Sequence, residues 1–278
     1  MMKMLKVLIP TDFSEVSFLA LQMAELLSKK IPVQVHMVHV IEANTSSADY
    51  AETDVEQKGL QAKEEKALIH FNSLKAAGQS FESHIKVGLL TDQINASAQE
   101  LGADLIIMGT HGSAGFMERI SGSEAQHVAR YQKVPVITIR PGTATMELKN
   151  ILLVADFERF GKGFRVDTIK AIAEAFDSTI HLLQIVQEDE EKYADQIEAK
   201  MRSFAAEHQL TKYEAHLYRD RKVAEGVRNF NREAEMDLVC IPTHGRKGIN
   251  HFLFGSIAER LVNHCIKPLL TFQLKENA

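Results

Sequence analysis

The sequence predicts an α/β protein made of two tandem, doubly wound, five-stranded parallel-sheet domains of the Rossmann-like kind. Three observations lead to this fold class. The chain has 278 residues, which suits two domains of ordinary size. Its two halves repeat the same glycine-containing segments. Within each half, short apolar runs typical of buried strands alternate with amphipathic helical segments.

The internal repeat is clearest in one pair of segments. Gly109-Thr110-His111-Gly112 is followed after nine residues by Gly122-Ser123, and Pro242-Thr243-His244-Gly245 is followed after nine residues by Gly255-Ser256. An earlier apolar segment, Val35–Val40, corresponds to Ile180–Ile185. Two long repeats indicate two similar domains and not a solenoid of many small units. We expect the domains to span residues 1–144 and 145–278, with the junction in the polar stretch Gly142–Glu147.

Local sequence patterns predict the strands and helices of the first half. Continuous apolar runs predict strands buried on both faces, and the 3.6-residue period predicts the helices between them. The strands are expected at Leu5–Ile9, Val33–Ile41, Phe81–Val87, Leu105–Met108 and Val134–Ile139, and the helices at Val16–Leu27, Glu56–Ala77, Ile94–Leu101 and Ser123–Tyr131. The second half repeats this order, with its first helix marked by Val166, Ile169, Ala173 and Phe176 and its fourth strand at Leu238–Ile241. Such βαβ alternation requires parallel strands with right-handed crossovers.

Composition excludes several classes of protein. The net charge of −5 gives no general attraction to nucleic acid or to an anionic membrane, so neither partner is expected. No apolar run approaches the length of a membrane span or of a signal peptide's apolar region. Cys240 and Cys265 form no CxxC pair, and we expect both to be buried apolar residues in a reducing cytoplasm.

The candidate ligand site lies at the carboxyl ends of the predicted strands, where open α/β sheets bind ligands. Asp12 follows the first strand, Gly109 ends the fourth, and Gly122-Ser123 opens the next helix. A helix N-terminus binds phosphate, glycine lets the backbone approach a ligand closely, and a carboxylate accepts hydrogen bonds from ribose hydroxyls. These residues predict a nucleotide or another phosphorylated ligand in each half. Turns require the same residue types, so the pattern alone leaves a purely structural role open.

The spacing Gly109-x2-Gly112-x9-Gly122-Ser123 resembles the nucleotide motif of ATP-binding members of the universal stress protein family. The openings at Pro10-Thr11-Asp12 and the ends at Pro135-Val136-Ile137 are similar to that family as well. The resemblance spans nearly the whole chain as two copies. It implies that ATP, with Mg²⁺, binds in the first half, where Asp12 contacts the ribose and the main chain of Val40 reads the adenine edge. The residues that it implies for the first site are Thr11, Asp12, Val40, Gly109, Gly112, Gly122 and Ser123.

By the same resemblance, the second half offers Asp156, Ile185, Gly245, Gly255 and Ser256. It departs from the family pattern at Pro242, which stands where the first motif glycine is expected, and at Ala155, where the first half has Thr11. These departures predict that the second site binds ATP more weakly than the first. The family resemblance also implies a pseudo-dimer within the chain through the last strands, Val136–Ile139 and Leu269–Leu274, and leaves further self-association open.

The histidines and the possible catalytic groups give weaker indications of function. His36-x2-His39 has a spacing that zinc sites use, but on a strand its side chains point to opposite faces. We therefore expect packed or capping histidines there and no metal. His111 and His244 occupy matched motif positions and fit a loop hydrogen bond or a phosphate contact. No spacing indicates a Ser/His/Asp triad or a pair of catalytic carboxylates, so no catalytic residue is predicted.

Three hypotheses about function remain at this stage. The resemblance implies a stress-response protein that binds an adenine nucleotide and then changes its shape or its partner. An ATP-hydrolysing or nucleotidyl-transfer enzyme on the same fold is the first alternative, which turnover of Mg²⁺-ATP would identify. The second alternative is a nucleotide-free interaction scaffold, in which the glycine motif only shapes loops.

Overall fold

The computed structural model describes residues 4–42, 54–110, 128–129, 132–143, 147–157, 166–187, 193–243, 261, 265 and 267–273. Its first half contains β1 (Leu5–Pro10), α1 (Glu15–Ser28), β2 (Val33–Ile41), α2 (Asp54–Ala76), β3 (Glu82–Val87), α3 (Leu90–Glu100), β4 (Leu105–Gly109) and β5 (Val136–Ile139). The second half contains β6 (Asn150–Val154), α4 (Asp167–Phe176), β7 (Thr179–Val186), α5 (Ala194–Glu207), β8 (Tyr213–Arg219), α6 (Val223–Ala234), β9 (Leu238–Thr243) and β10 (Leu269–Gln273).

The strands of each half are parallel and have the doubly wound arrangement that the sequence predicts. Their order is β3-β2-β1-β4-β5 in the first half and β8-β7-β6-β9-β10 in the second. The strand order therefore reverses next to the first strand of each half, between β1 and β4 and between β6 and β9. Because ligands bind at such switch points, the topology places one candidate crevice in each half.

The two halves share one sheet. The last strands, β5 and β10, pair antiparallel, with Ile137 opposite Leu270, so the ten strands form a continuous sheet whose outer edges are β3 and β8. This is the strand pairing expected for a pseudo-dimer within the chain. Thr271 on β10 also donates a hydrogen bond of 2.8 Å from its hydroxyl to the carbonyl of Ala129 in the first half. Both last strands are thereby covered, which removes two edges that would otherwise invite pairing with other chains.

Apolar side chains cover both faces of the sheet. One core packs α1, α4 and α5 against one face, and the other packs α3 and α6 against the opposite face. Strand β4 is buried along its whole length, because its neighbours β1 and β5 and both cores enclose it. This explains why the central strands have continuous apolar sequences, whereas β3 and β8, at the sheet edges, are only partly buried.

Most predicted elements agree with the structure to within two residues, although α3 begins at Leu90 and not at the predicted Ile94. Strand β9 continues through Pro242 to Thr243, although the sequence prediction ended it at Ile241. The predicted helix Ser123–Tyr131 lies outside the described residues, apart from a helical turn at 128–129. Across the part of the chain that the structure describes, no helix combines the length and the apolarity that a membrane span requires.

Candidate nucleotide crevice

The crevice of the first half opens where β1 and β4 separate. Their pairing includes Leu8 opposite Ile106 and goes no further, although β1 continues to Pro10 and β4 to Gly109. Strand β2 extends beyond β1, because Pro10 is opposite Val38 and β2 ends only at Ile41. The carboxyl ends of these three strands therefore surround a space that the sheet itself does not fill. Thr11, Asp12, Val40 and Gly109, the described part of the predicted first site, all lie around it.

Asp12 is held in a tight turn at the beginning of α1. Its Oδ1 accepts hydrogen bonds from the backbone N–H of Ser14 at 3.0 Å and from the Ser14 hydroxyl at 2.6 Å. Ser14 is in turn the N-cap of α1 and accepts from the N–H of Ser17. The second carboxylate oxygen, Oδ2, accepts no hydrogen bond from the residues that the structure describes. The half-buried side chain therefore has one oxygen fixed by the turn and one available to a ligand.

Thr11 is buried and acts within the protein. Its hydroxyl donates to Ser17 Oγ at 3.0 Å and accepts from the N–H of Phe13 at 3.0 Å. Since both interactions tie the end of β1 to the first turn of α1, Thr11 shapes the loop that presents Asp12. The side chain of Thr11 therefore supports the loop, and the contact with a ligand that the sequence analysis assigned to Thr11 stays a prediction.

The residue after Asp12 has an unusual backbone conformation. Phe13 has φ of 65°, a left-handed conformation that non-glycine residues adopt only at a cost. The packing of its ring offsets this cost. The centroid of the Phe13 ring lies 4.7 Å from that of His39, 4.8 Å from that of His70 and 5.0 Å from that of Phe71. These ring contacts hold the loop that carries Asp12 in one conformation.

His39 also fastens this loop, through a partner that the sequence analysis did not name. Its Nδ1 lies 2.8 Å from the carbonyl oxygen of Thr11, and the side chain is buried. The corresponding residue of the second half is Gln184, whose Oε1 accepts from the N–H of Phe157 at 2.9 Å. The prediction that His39 is a packed or capping histidine is thus confirmed. The sequence signal for this role was that His39 and Gln184, both polar, occupy matching positions in the two repeats.

The backbone of Val40 faces the crevice. Successive strand residues direct their N–H and C=O groups alternately to the two neighbouring strands. Ile41 accepts from Gly88 on the β3 side, so the N–H and C=O of Val40 point the other way, past the end of β1. In the second half, Val186 accepts from Asp220, and Ile185 accordingly points past the end of β6. Each site therefore has an adjacent backbone donor and acceptor.

Gly109 is required by packing against α1. A Cβ built on it would lie 2.3 Å from the carbonyl oxygen and 2.5 Å from the carbonyl carbon of Val16. The sequence explained this glycine by close approach of a ligand. The structure supplies a different reason, because the backbone of α1 itself occupies the position of the missing side chain.

The second crevice keeps most of this framework. Asp156 is half-buried after β6, as Asp12 is after β1. The N–H of Ala155 donates to the carbonyl of Leu183 at 3.0 Å, as that of Thr11 donates to Val38 at 2.9 Å. Pro242 takes the position of Gly109, and its nitrogen faces β6, since the N–H of Val239 faces β10. The remaining predicted residues lie outside the described part of the chain: Gly112, Gly122, Ser123, Gly245, Gly255 and Ser256, together with His111 and His244.

The two cysteines lie in the apolar cores, Cys240 on one face of the sheet and Cys265 on the other. Both are free and buried, and burial raises the pKa of the Cys240 and Cys265 thiols. A thiol of raised pKa is a poor nucleophile and a poor metal ligand. The expectation that both are buried apolar residues is confirmed.

Comparison with known proteins identifies the family. The model of the universal stress protein family matches residues 4–140 and again residues 147–273. The chain belongs to the universal stress protein family. Among the individual relatives, a universal stress protein of Methanocaldococcus jannaschii is 26% identical over 152 residues, which are 49% of this chain and 94% of the relative.

One solved structure has the same fold over nearly the whole chain. The crystal structure of a universal stress protein from Archaeoglobus fulgidus is similar to the whole chain, with a TM-score of 0.73, 18% identity, and coverage of 96% of this chain and 98% of that one. A universal stress protein solved in complex with cAMP is similar to one half, with a TM-score of 0.36, 22% identity, and coverage of 49% and 96%. The tandem arrangement of this universal stress protein thus has a full-length structural counterpart.

Proposed function

We propose that this universal stress protein binds an adenine nucleotide, ATP with Mg²⁺, in the crevice beside β1, and that the bound nucleotide changes its shape or its partners in a stress response. The observation that carries the proposal is that Asp12 Oδ2 and the backbone of Val40, which have no hydrogen-bond partner among the described residues, lie at one switch point. Asp12 Oδ2 suits a ribose hydroxyl, and the N–H and C=O of Val40 suit the donor and acceptor on the edge of an adenine ring.

The proposed role of each group in nucleotide binding follows from its geometry. The carboxylate of Asp12 is fixed by its turn, so it loses little side-chain entropy when a ribose binds. The backbone of Val40 is fixed by the sheet in the same way. The motif residues Gly112, Gly122 and Ser123 are proposed to hold the phosphates at a helix N-terminus, with Gly245, Gly255 and Ser256 as their counterparts beside Asp156 and Ile185.

The proposal extends to domain organisation and location. Domains of residues 1–144 and 145–278 are supported by the two matched segments, which leave only residues 141–146 between them. A cytoplasmic location is supported by the two free, buried cysteines.

Calorimetry with Mg²⁺-ATP on the full chain tests the proposal. Asp12→Ala removes a charged acceptor, which costs about 1.5–3 kcal/mol, so affinity at the first site is expected to fall about 10- to 150-fold. Asp12→Asn keeps an oxygen for the turn with Ser14, and it should lose affinity while it retains stability. Glu25→Ala is the control, because it removes one exposed carboxylate of α1 outside the crevice. Affinity that is the same in Asp12→Ala and in the wild type would refute the site.

A further inference from the structure

Two histidines and a glutamate meet on one face of the sheet, far from the crevice. His36 on β2 lies opposite Glu82 on the edge strand β3. His84 follows Glu82 by two residues and therefore shares its face. His36 Nδ1 lies 3.2 Å from His84 Nε2 and 3.5 Å from Glu82 Oε2. We call His36, Glu82 and His84 the first histidine cluster.

The second half contains the same cluster at the matching position. His181 on β7 lies opposite Glu214 on the other edge strand, β8, and His216 follows Glu214 by two residues. His181 Nδ1 lies 3.0 Å from His216 Nε2 and 3.6 Å from Glu214 Oε2, and His216 Nε2 lies 3.7 Å from the same oxygen. His181, Glu214 and His216 form the second histidine cluster. The same three atom types face each other in both halves.

Most of these separations are close to those between ligands of one metal ion. Zn²⁺ binds imidazole nitrogen and carboxylate oxygen at about 2.0–2.2 Å in a tetrahedron, so two of its ligand atoms lie about 3.3–3.6 Å apart. An octahedral ion with bonds of about 2.1 Å would bring neighbouring ligands to about 3.0 Å. Four of the five distances, from 3.2 to 3.7 Å, exceed the octahedral separation. The three candidate ligand atoms of each cluster all lie within 4.8 Å of one another.

In each cluster, a hydrogen bond with a residue outside the cluster orients one of the candidate metal ligands. Gln34 Nε2 donates to Glu82 Oε1 at 2.7 Å, which leaves Oε2 directed at His36. In the second cluster, His181 Nε2 lies 3.3 Å from Asn150 Oδ1. An Nε2–H that donates to this amide leaves the lone pair on Nδ1, the nitrogen that faces the cluster. Partners of this kind fix the ligands of metal sites in proteins.

The side chain of His36 is buried, and its Nδ1 is the nitrogen that faces His84 and Glu82. The carboxylates of Glu82 and Glu214, by contrast, are 57% and 61% exposed, so water can reach the cluster as a fourth ligand. Burial also lowers the pKa of His84, His181 and His216.

We propose that each histidine cluster binds one divalent transition-metal ion, with Zn²⁺ the best match, and that this ion joins the edge strand to its neighbour. The protein ligands are His36 Nδ1, His84 Nε2 and Glu82 Oε2 in the first cluster, and His181 Nδ1, His216 Nε2 and Glu214 Oε2 in the second. The metal sites are separate from the nucleotide crevices. His36 precedes Val40 by four residues, or about 13 Å along the strand, so the proposal does not depend on nucleotide binding.

The experiment is a metal titration of the full-length protein after removal of metal with EDTA and dialysis. Calorimetry with Zn²⁺ should give two equivalents per chain, and Co²⁺ should give the intense visible absorption of a four-coordinate ion. His84→Ala and His216→Ala should each remove one equivalent, and the double variant both. His208→Ala, which removes a half-buried histidine outside the clusters, is the matched control and should keep both.

Further variants keep the test independent of folding. Glu82→Gln and Glu214→Gln alter exposed side chains and should weaken binding with an unchanged far-ultraviolet circular dichroism spectrum. Asn150→Ala should weaken the second site about 10- to 100-fold and leave the first site unchanged. The proposal is overturned if wild-type protein takes up less than one equivalent at micromolar Zn²⁺. It is also overturned if the double histidine variant binds as much as the His208→Ala control, since the metal would then be held elsewhere.

Discussion

Replacement of Gly109 by alanine distinguishes the two explanations for this glycine. If its role is to admit the backbone of α1, an added methyl group must destabilise the protein even without ligand. If its role is only to admit a ligand, the stability of the free protein should not change. The two explanations therefore differ in a quantity that can be measured in the absence of nucleotide.

The structure sets the magnitude of the effect. The added Cβ would lie 2.3 Å from Val16 O, 2.5 Å from Val16 C and 2.6 Å from Val16 Cγ1, and two of these atoms belong to backbone. Because a helix backbone cannot rotate away as a side chain can, α1 must move as a unit. Overpacking of this kind typically costs about 1–3 kcal/mol, which should lower the thermal midpoint by about 2–12 °C at this chain length.

Gly59→Ala is the matched control. Gly59 lies in α2, and an added Cβ there would meet no atom within 4 Å. Since alanine favours a helix over glycine by about 0.5–1 kcal/mol, this variant should be slightly more stable than the wild type. Thermal melts and urea titrations of both variants, free of nucleotide, provide the comparison. Wild-type stability in Gly109→Ala would refute the packing explanation and restore the ligand explanation.

Two further predictions concern the second crevice and the response to acid. Pro242→Gly should strengthen ATP binding at the second site, because proline supplies no N–H toward β6 and adds a ring beside the crevice; calorimetry that shows equal affinity at both sites already in the wild type would contradict this. The free energy of unfolding of the metal-free protein should fall as the pH drops below about 6.5, since burial lowers the pKa of His208 while the unfolded chain binds the proton near the ordinary value. His208→Gln should flatten this pH dependence in urea titrations, and an unchanged slope would exclude His208 as a source.

The fold could be predicted from the sequence because its main determinants are local and periodic. Strands buried on both faces need continuous apolar residues, as at Leu105–Met108, and the helices between them show a 3.6-residue stripe. The end of β9 was missed for a physical reason. A proline usually ends a strand because it lacks an N–H, but the nitrogen of Pro242 faces β6 beyond the last paired residues, Leu153 and Cys240. No ladder hydrogen bond is lost, so the strand continues.

The candidate site was predictable only in part. The position of Asp12 followed from its place after a strand, whereas the supporting roles of Thr11, His39 and Gln184 depend on contacts between segments far apart in the chain. The spacing within a single strand also drew attention to His36 and His39 and missed the neighbours of His36 across the sheet. His36 and His39 point to opposite faces, while His36 meets Glu82 and His84 across the sheet. The repeated Glu-x-His on the third strand of each half was the signal in the sequence, and it gains meaning only with the register of the sheet.

Comparison of the two halves separates what the framework requires from what each site does. An aspartate follows the first strand in both, and a polar side chain of the second strand fastens the following loop in both, through His39 and through Gln184. The motif glycine, in contrast, is present as Gly109, where the backbone of α1 packs against it, and is replaced as Pro242, so only the packing of the first half requires it. The histidine clusters belong to neither category. In both halves a histidine nitrogen of the second strand faces a histidine nitrogen and a glutamate oxygen of the third strand. This repeated spacing of nitrogen and oxygen atoms is the observation that supports the proposed metal ion.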